Sequence, residues 1–299
     1  MDLIARLLLC LCLWTGPAAA CVVDRLTTVP LEDAGPLMLL PVEVNGHPGR
    51  FILDTGAALS VVTPAAVERF GLDLDEWTAT TLRGVGGVER RRNAIPRSLS
   101  LGGVALRRRA LAADQTLRVA AMAVPADGLL GRDFLFGFDL DLDPAGRTLS
   151  LYRATACTGR FLPWSGTYAA VPVTVAAGSA WWVPVELDGI RLRGLLDSGA
   201  GMSFLAAPGM ARLSLTMEGL AADPALTVTG VGPRGLIARR HRFRSMTIGT
   251  AVTPDPDLTV APVQLSPVSD LLLGADWIRR HRLWLSNATG QMFVADPAR

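Results

Sequence analysis

The sequence predicts an all-β protein of two matching lobes related by a pseudo-twofold axis. Three observations predict it. First, Asp54-Thr55-Gly56 recurs as Asp197-Ser198-Gly199, 143 residues later, and the repeat extends far beyond the triplet. Residues 40–46 fall without a gap on 183–189, and residues 128–134 on 271–277. Second, apolar and polar residues alternate over short runs, which is the period of a half-buried strand. Third, Gly, Pro, Asn and Asp punctuate those runs at short intervals, as turns between strands require. With 299 residues, of which 50% are hydrophobic and 19% charged, each half is long enough to bury its own core.

The chain opens on residues 3–14, a short apolar stretch followed by Thr15-Gly16-Pro17 and Ala18-Ala19-Ala20. That pattern reads as a signal peptide over residues 1–20, too short to span a membrane, with small residues at the cleavage site. The mature protein is expected to be exported, periplasmic or secreted, and to begin near Cys21. Cys10 and Cys12 leave with the signal, so Cys21 and Cys157 remain. Two chemistries compete for Cys21. It could form a disulfide with Cys157, or it could be acylated, since Ala18-Ala19-Ala20-Cys21 resembles a bacterial lipobox. Only acylation would bring the protein to a membrane.

The first lobe is assigned to residues 21–152. Residues 37–44 alternate as a strand, 45–49 break it, and Phe51-Ile52-Leu53 resumes as a buried run that ends at Asp54. Ser60-Val61-Val62 is another strand, and Pro64 opens a short helix to Phe70. Residues 81–88 form a hairpin with Gly84-Val85-Gly86-Gly87 at its tip, and 99–110 a second hairpin turning at Gly102-Gly103. Phe134-Leu135-Phe136 opens a short helix, and 139–152 close the lobe as a hairpin. Residues 153–170 lack periodicity and read as a linker. The second lobe, 171–299, repeats the order. Strands 182–187 and 192–196 flank Asp188-Gly189, a glycine-rich tip stands at Gly230-Val231-Gly232, a helix opens at Trp277-Ile278, and a terminal hairpin spans 283–294.

A lone Asp-Thr-Gly is an ordinary turn, since Asp and Thr bond their own backbone and Gly supplies positive φ. Two copies at the ends of apolar strands, in halves that pair about a twofold, bring two carboxylates together. Like charges in contact cannot both ionise, so one proton is shared and the two apparent pKa values separate. Between those values the pair is both acid and base. Water held between Asp54 and Asp197 can be deprotonated while a substrate carbonyl oxygen is protonated, which is the chemistry of peptide-bond hydrolysis with no metal or cofactor.

The segment Asp54-Thr55-Gly56-Ala57-Ala58-Leu59-Ser60 resembles the active-site loop of aspartic proteases, in the retroviral form Asp-Thr-Gly-Ala-x-x-Ser/Thr, and residues 197–203 resemble it too. Leu129-Leu130-Gly131 and Leu272-Leu273-Gly274 resemble the family's second motif, which supports that loop. The resemblance covers most of 37–152 and 180–295. It implies two acid-protease-type β-barrel lobes with the active site between them, Asp54 and Asp197 as the catalytic dyad, and Thr55 and Ser198 bonding across the loops. Gly56 and Gly199 would let backbone approach the carboxylates. It also implies flaps at Gly84, Val85, Gly86 and Gly87 and at Gly230, Val231 and Gly232, closing over a polypeptide bound extended. Both tips lack the tyrosine of the single pepsin-like flap, so the retroviral comparison is nearer. Ala57 and Ala200 replace the Ser or Thr usual in pepsin-like enzymes. That removes a hydrogen bond to the ionised carboxylate and predicts an optimum less acidic than that of pepsin.

Composition and motifs narrow the alternatives. Formal net charge is +2, which gives no bias toward nucleic acid. The 29 basic residues are all arginine, so lysine-dependent Schiff-base and P-loop chemistry is excluded. Arginine runs at 90–92, 107–109 and 239–240 read as solvated strand edges. His47, His241 and His281 lack metal-site spacing, and Gly201-Met202-Ser203-Phe204-Leu205 lacks the final glycine of a serine-hydrolase elbow. The remaining alternative is a non-catalytic module that grips an extended peptide on the same fold. The chain is expected to be a monomer whose halves pair as a dimer would, with domain swapping as the other arrangement.

Overall fold

A computed structural model of the protein describes residues 20–84, 87–106, 110–113, 126–174, 180–228, 235–264 and 269–295. The predicted signal peptide therefore lies outside the described residues, except for Ala20. Strand dominates, with only four short helices among the described residues: Pro64–Arg69, Arg132–Leu135, Ala207–Arg212 and Ala275–Ile278.

The two lobes share one strand order, the first adding a short strand, Glu32–Ala34, against Leu37–Val44. In the first sheet, strands run in the order Asp73–Gly84, Gly87–Ile95, Leu111–Ala113, Val61–Val62, Gly128–Leu130, His47–Leu53, Leu37–Val44, Leu99–Leu101, Val104–Ala105. The second sheet repeats it as Ala225–Val228, Leu236–Arg242, Asp257–Val260, Phe204–Leu205, Leu271–Leu273, Ile190–Leu196, Trp182–Leu187, Ser245–Ile248, Ala251–Pro254. In each sheet, the short apolar strand of the second motif lies parallel to the strand leading into the acidic triplet. Leu129 pairs with Ile52, and Leu272 with Leu195. Parallel neighbours are buried on both faces, which explains why Gly128–Leu130 and Leu271–Leu273 are unbroken apolar runs.

Turn chemistry is legible residue by residue. Asn45 and Gly46 both have positive φ, as do Asp188 and Gly189, which is the two-residue hairpin turn whose twist matches its strands. The expected break over 45–49 is accordingly too long: the strand resumes at His47 and includes Pro48 and Gly49. Gly49 is there for space, because a Cβ would press on the Phe70 ring at 2.7 Å. The same turn starts the partner strand at Ile190 rather than 192. The helices after the second motif also begin early, at Arg132 and Ala275, directly behind the glycines.

A third sheet joins the lobes. Its order is Val22–Pro30, Thr148–Thr155, Asp139–Asp143, Leu283–Ser286, Gln291–Ala295, Tyr168–Pro172, three strands from each half. At its centre Leu140 pairs with Leu285 and Leu142 with Leu283. One face adds Leu140, Leu142, Leu149, Leu151, Leu283 and Leu285 to a core continuous through both lobes. The segment read as a linker begins inside one strand of this sheet and ends inside another, and its middle packs on the opposite face. There Phe161, Trp164 and Tyr168 ring the buried Tyr152, Trp284 and Phe293, while the Trp164 indole donates to Asp141, itself held by both arms of Arg282. Cys21 and Cys157 are joined by a disulfide that fastens the first strand to this segment.

Candidate active site

The strands His47–Leu53 and Ile190–Leu196 end side by side at the junction of the lobes, and each delivers one acidic triplet. Each triplet is held from behind by its second motif. Asp54 N–H donates to Leu130 O at 3.1 Å, and Asp197 N–H to Leu273 O at 2.9 Å. The two loops then lock on each other through four hydrogen bonds. Thr55 Oγ1 donates to Leu196 O at 2.9 Å and accepts from Ser198 N–H at 3.0 Å. Ser198 Oγ donates to Leu53 O at 2.7 Å and accepts from Thr55 N–H at 3.0 Å. Both hydroxyls are buried, so each satisfies backbone groups that water cannot reach.

Asp54 Oδ1 accepts from Gly56 N–H at 3.0 Å and Ala57 N–H at 2.7 Å. Asp197 Oδ1 accepts from Gly199 N–H at 2.9 Å and Ala200 N–H at 3.1 Å. Each carboxyl stands against the glycine of the opposite loop, so the two face each other across the junction and titrate together. Gly56 and Gly199 are required by that approach, since a Cβ on either would overlap the opposite carboxyl. Burial raises the pKa of Asp54, against lowering hydrogen bonds from Ala57, Asp197 and Gly56. Burial raises Asp197 well above its ordinary 3.8, and the neighbouring Asp54 charge pushes it further in the same direction. One proton between two carboxyls resolves both penalties, and a pair in that state can take a proton at one oxygen while giving one at another.

A second tier of side chains lies behind the loops, and only part of it is evident from the motif. Ser60 Oγ donates to Asp133 Oδ1 at 2.8 Å and accepts from Gly131 N–H at 2.7 Å. Ser203 Oγ repeats this with Asp276 Oδ1 at 2.7 Å and Gly274 N–H at 2.9 Å. The signal was present in the sequence, since Ser60/Ser203 and Asp133/Asp276 are identical at the repeat offset. Gly131 and Gly274 press against the backbone of their loops, where a Cβ would stand 2.9 Å from Leu59 C and 2.5 Å from Met202 C.

Both glycine-rich hairpins stand beside these loops. In the first, Thr81 pairs with Arg90 and Gly84 with Gly87, so the strands run to the base of the tip, while Val85 and Gly86 lie outside the described residues. Leu82 of this hairpin and Ala57 of the first loop pack against the same cluster. In the second, Val228 pairs with Leu236, and Gly230, Val231 and Gly232 lie outside the described residues. Val228 and Leu236 share a cluster with Ala200 of the second loop.

A family model described as aspartyl protease matches residues 40–134 and again residues 183–277. The chain belongs to the aspartyl protease family. The family match falls once on each lobe and includes the triplet, the second motif and the hairpin between them. The fold is also similar to the crystal structure of an aspartic proteinase from Irpex lacteus. That likeness has a TM-score of 0.52 and 11% identity, over 93% of this chain and 98% of the other. It extends the shared two-lobed fold to nearly the whole of both proteins.

Proposed function

We propose that the protein is an aspartic endopeptidase of retroviral type whose two half-sites are fused in one chain, with Asp54 and Asp197 as its dyad. The observation that carries this reading is the facing carboxyl pair, each member cradled by two backbone N–H groups and both fixed by the reciprocal Thr55/Ser198 bonds. In the resting pair one member is ionised and the other protonated. Water between them loses a proton to the carboxylate as its oxygen bonds to the scissile carbon, and the protonated member passes its proton to the carbonyl oxygen. The tetrahedral diol collapses when the newly protonated carboxyl gives its proton to the departing nitrogen and a diol hydroxyl returns one to its partner. The C–N bond breaks, and the dyad again holds one proton.

The two hairpins beside the loops support a cleft with a flap on each side, under which a polypeptide lies extended and bonds through its backbone. Pro233 follows the second tip alone, which favours unequal flaps. Among the described contacts, Asp54 Oδ1 receives only backbone donors from its own loop, because Ala57 brings no hydroxyl. That supports an optimum less acidic than pepsin's. The Cys21–Cys157 disulfide supports export to an oxidising compartment, with Cys21 bridged rather than acylated. The chain functions in this reading as a monomer. The test is incubation of protein beginning at Cys21 with a diverse peptide library at several pH values, beside the Asp54→Asn and Asp197→Asn variants. A peptide-gripping module would bind and never cut.

A further inference from the structure

The lobes match closely around the dyad with one charged exception. Arg132 follows Gly131 in the first lobe, and its counterpart after Gly274 is Ala275. Both backbones do the same work, Arg132 N–H donating to Ala57 O at 3.0 Å and Ala275 N–H to Ala200 O at 2.8 Å. Only the arginine adds a side chain. Its Nε donates to the same Ala57 oxygen at 3.2 Å, which pins the guanidinium behind the loop that carries Asp54.

Three features separate this residue from an ordinary surface arginine. It is 6% exposed, so water screens its charge poorly. Its Nη1 is buried and has no hydrogen-bond partner among the described residues. Its field acts on Asp54, Asp197 and Asp133 together. Asp133 already accepts from Ser60, and the matching Asp276 accepts from Ser203 and from Trp277 N–H. Asp133 and Asp276 match across the lobes, whereas Arg132 has no charged counterpart in the second lobe.

We propose that Arg132 is a positioning residue that breaks the symmetry of the dyad: its unmatched charge behind the first loop makes Asp54 the ionised base and Asp197 the resting proton carrier. This rests on the dyad reading above. An arginine stays charged even when burial disfavours it, so its influence persists across the working pH range. A fixed positive charge favours the ionised form of a nearby carboxyl, and the guanidinium pinned behind the first loop acts to lower Asp54.

The test is a carbon-13 carboxyl NMR titration of the full mature chain, with Asp54 and Asp197 assigned from their Asn variants, for wild type, Arg132→Met and Arg132→Lys. Between the two proton-loss steps, wild type is expected to show Asp54 as carboxylate and Asp197 as carboxylic acid. Arg132→Met should raise the lower step and bring the two carbons toward equal protonation, with Arg132→Lys restoring most of the difference. The acidic limb of kcat/KM should move with the lower step. Equal protonation in wild type, an unshifted Arg132→Met titration, or a lysine variant that titrates like the methionine variant would each overturn the assignment. The wild-type spectrum decides even where the methionine variant fails to fold. The NMR readout needs no turnover, so an asymmetric dyad without peptide cleavage would sink the proposed function and leave this inference standing.

Discussion

Removing the Ser198 hydroxyl tests how the two loops are held. Ser198→Ala deletes the bond donated to Leu53 O at 2.7 Å and the bond accepted from Thr55 N–H at 3.0 Å. Both backbone groups stay buried, and alanine offers neither of them a partner. An orphaned buried donor or acceptor costs about 1–3 kcal/mol, so the pair costs about 2–6 kcal/mol. Thr55→Ala orphans Leu196 O and Ser198 N–H in the same way. The reciprocal geometry therefore predicts nearly equal losses for the two variants, plus the methyl group that only threonine forfeits. No bond runs from one hydroxyl to the other, so each variant keeps the bonds made by the remaining side chain. Thr55→Ser keeps every hydrogen bond and should lose about 1 kcal/mol or less. Equilibrium urea unfolding at fixed pH reads all three. A loss below about 1 kcal/mol for Ser198→Ala, or a large loss for Thr55→Ser, would refute the argument that these hydroxyls satisfy buried backbone.

Other consequences follow from the same site. Gly56→Ala or Gly199→Ala pushes a Cβ into the opposite carboxyl and should reduce kcat by about 100-fold or more, since a displacement near 1 Å is enough for that; near-normal turnover would contradict the packing. The raised pKa of Asp197 has a stability consequence. A carboxyl whose folded pKa lies above its unfolded value stabilises the fold below the unfolded value, here 3.8, and loses that contribution as pH rises through the folded value. Asp197→Asn should therefore unfold at higher urea than wild type at neutral pH, with the gap closing toward pH 3.8; a constant gap would show that charge crowding is not its cause. Cys157→Ser should lose about 3–5 kcal/mol by the entropy of a loop this long, measured with and without reductant. A diacylglycerol mass on the mature amino terminus would rule out the bridge.

The duplicated architecture was readable because both halves kept the residues that geometry demands. Gly56 and Gly199 face the opposite carboxyls, and Asn45-Gly46 and Asp188-Gly189 set the turns that aim each strand at its triplet. The two terminal hairpins were readable, but not their joining into one sheet or its outer strands. Val22–Pro30 is an edge strand with one buried residue in nine, Val29, and without a covered face it shows no alternation. The segment between the lobes hid for a related reason. Its order comes from Phe161, Trp164 and Tyr168 packing on rings more than a hundred residues away in the second lobe, which no local pattern records. Arg132 was present in the repeat as a mismatch with Ala275, but a mismatch acquires meaning only when burial and the position of Asp54 are known.

The measurement closest to the central claim is kcat/KM for peptide hydrolysis across pH for wild type, Asp54→Asn and Asp197→Asn, all beginning at Cys21 and all checked for folding. Wild type should cleave with an optimum above about pH 3, and each asparagine variant should fall by about 1000-fold or more, since either carboxyl alone lacks half of the proton exchange. Folded wild type that cuts no peptide, or either variant that cuts at the wild-type rate, would contradict the dyad.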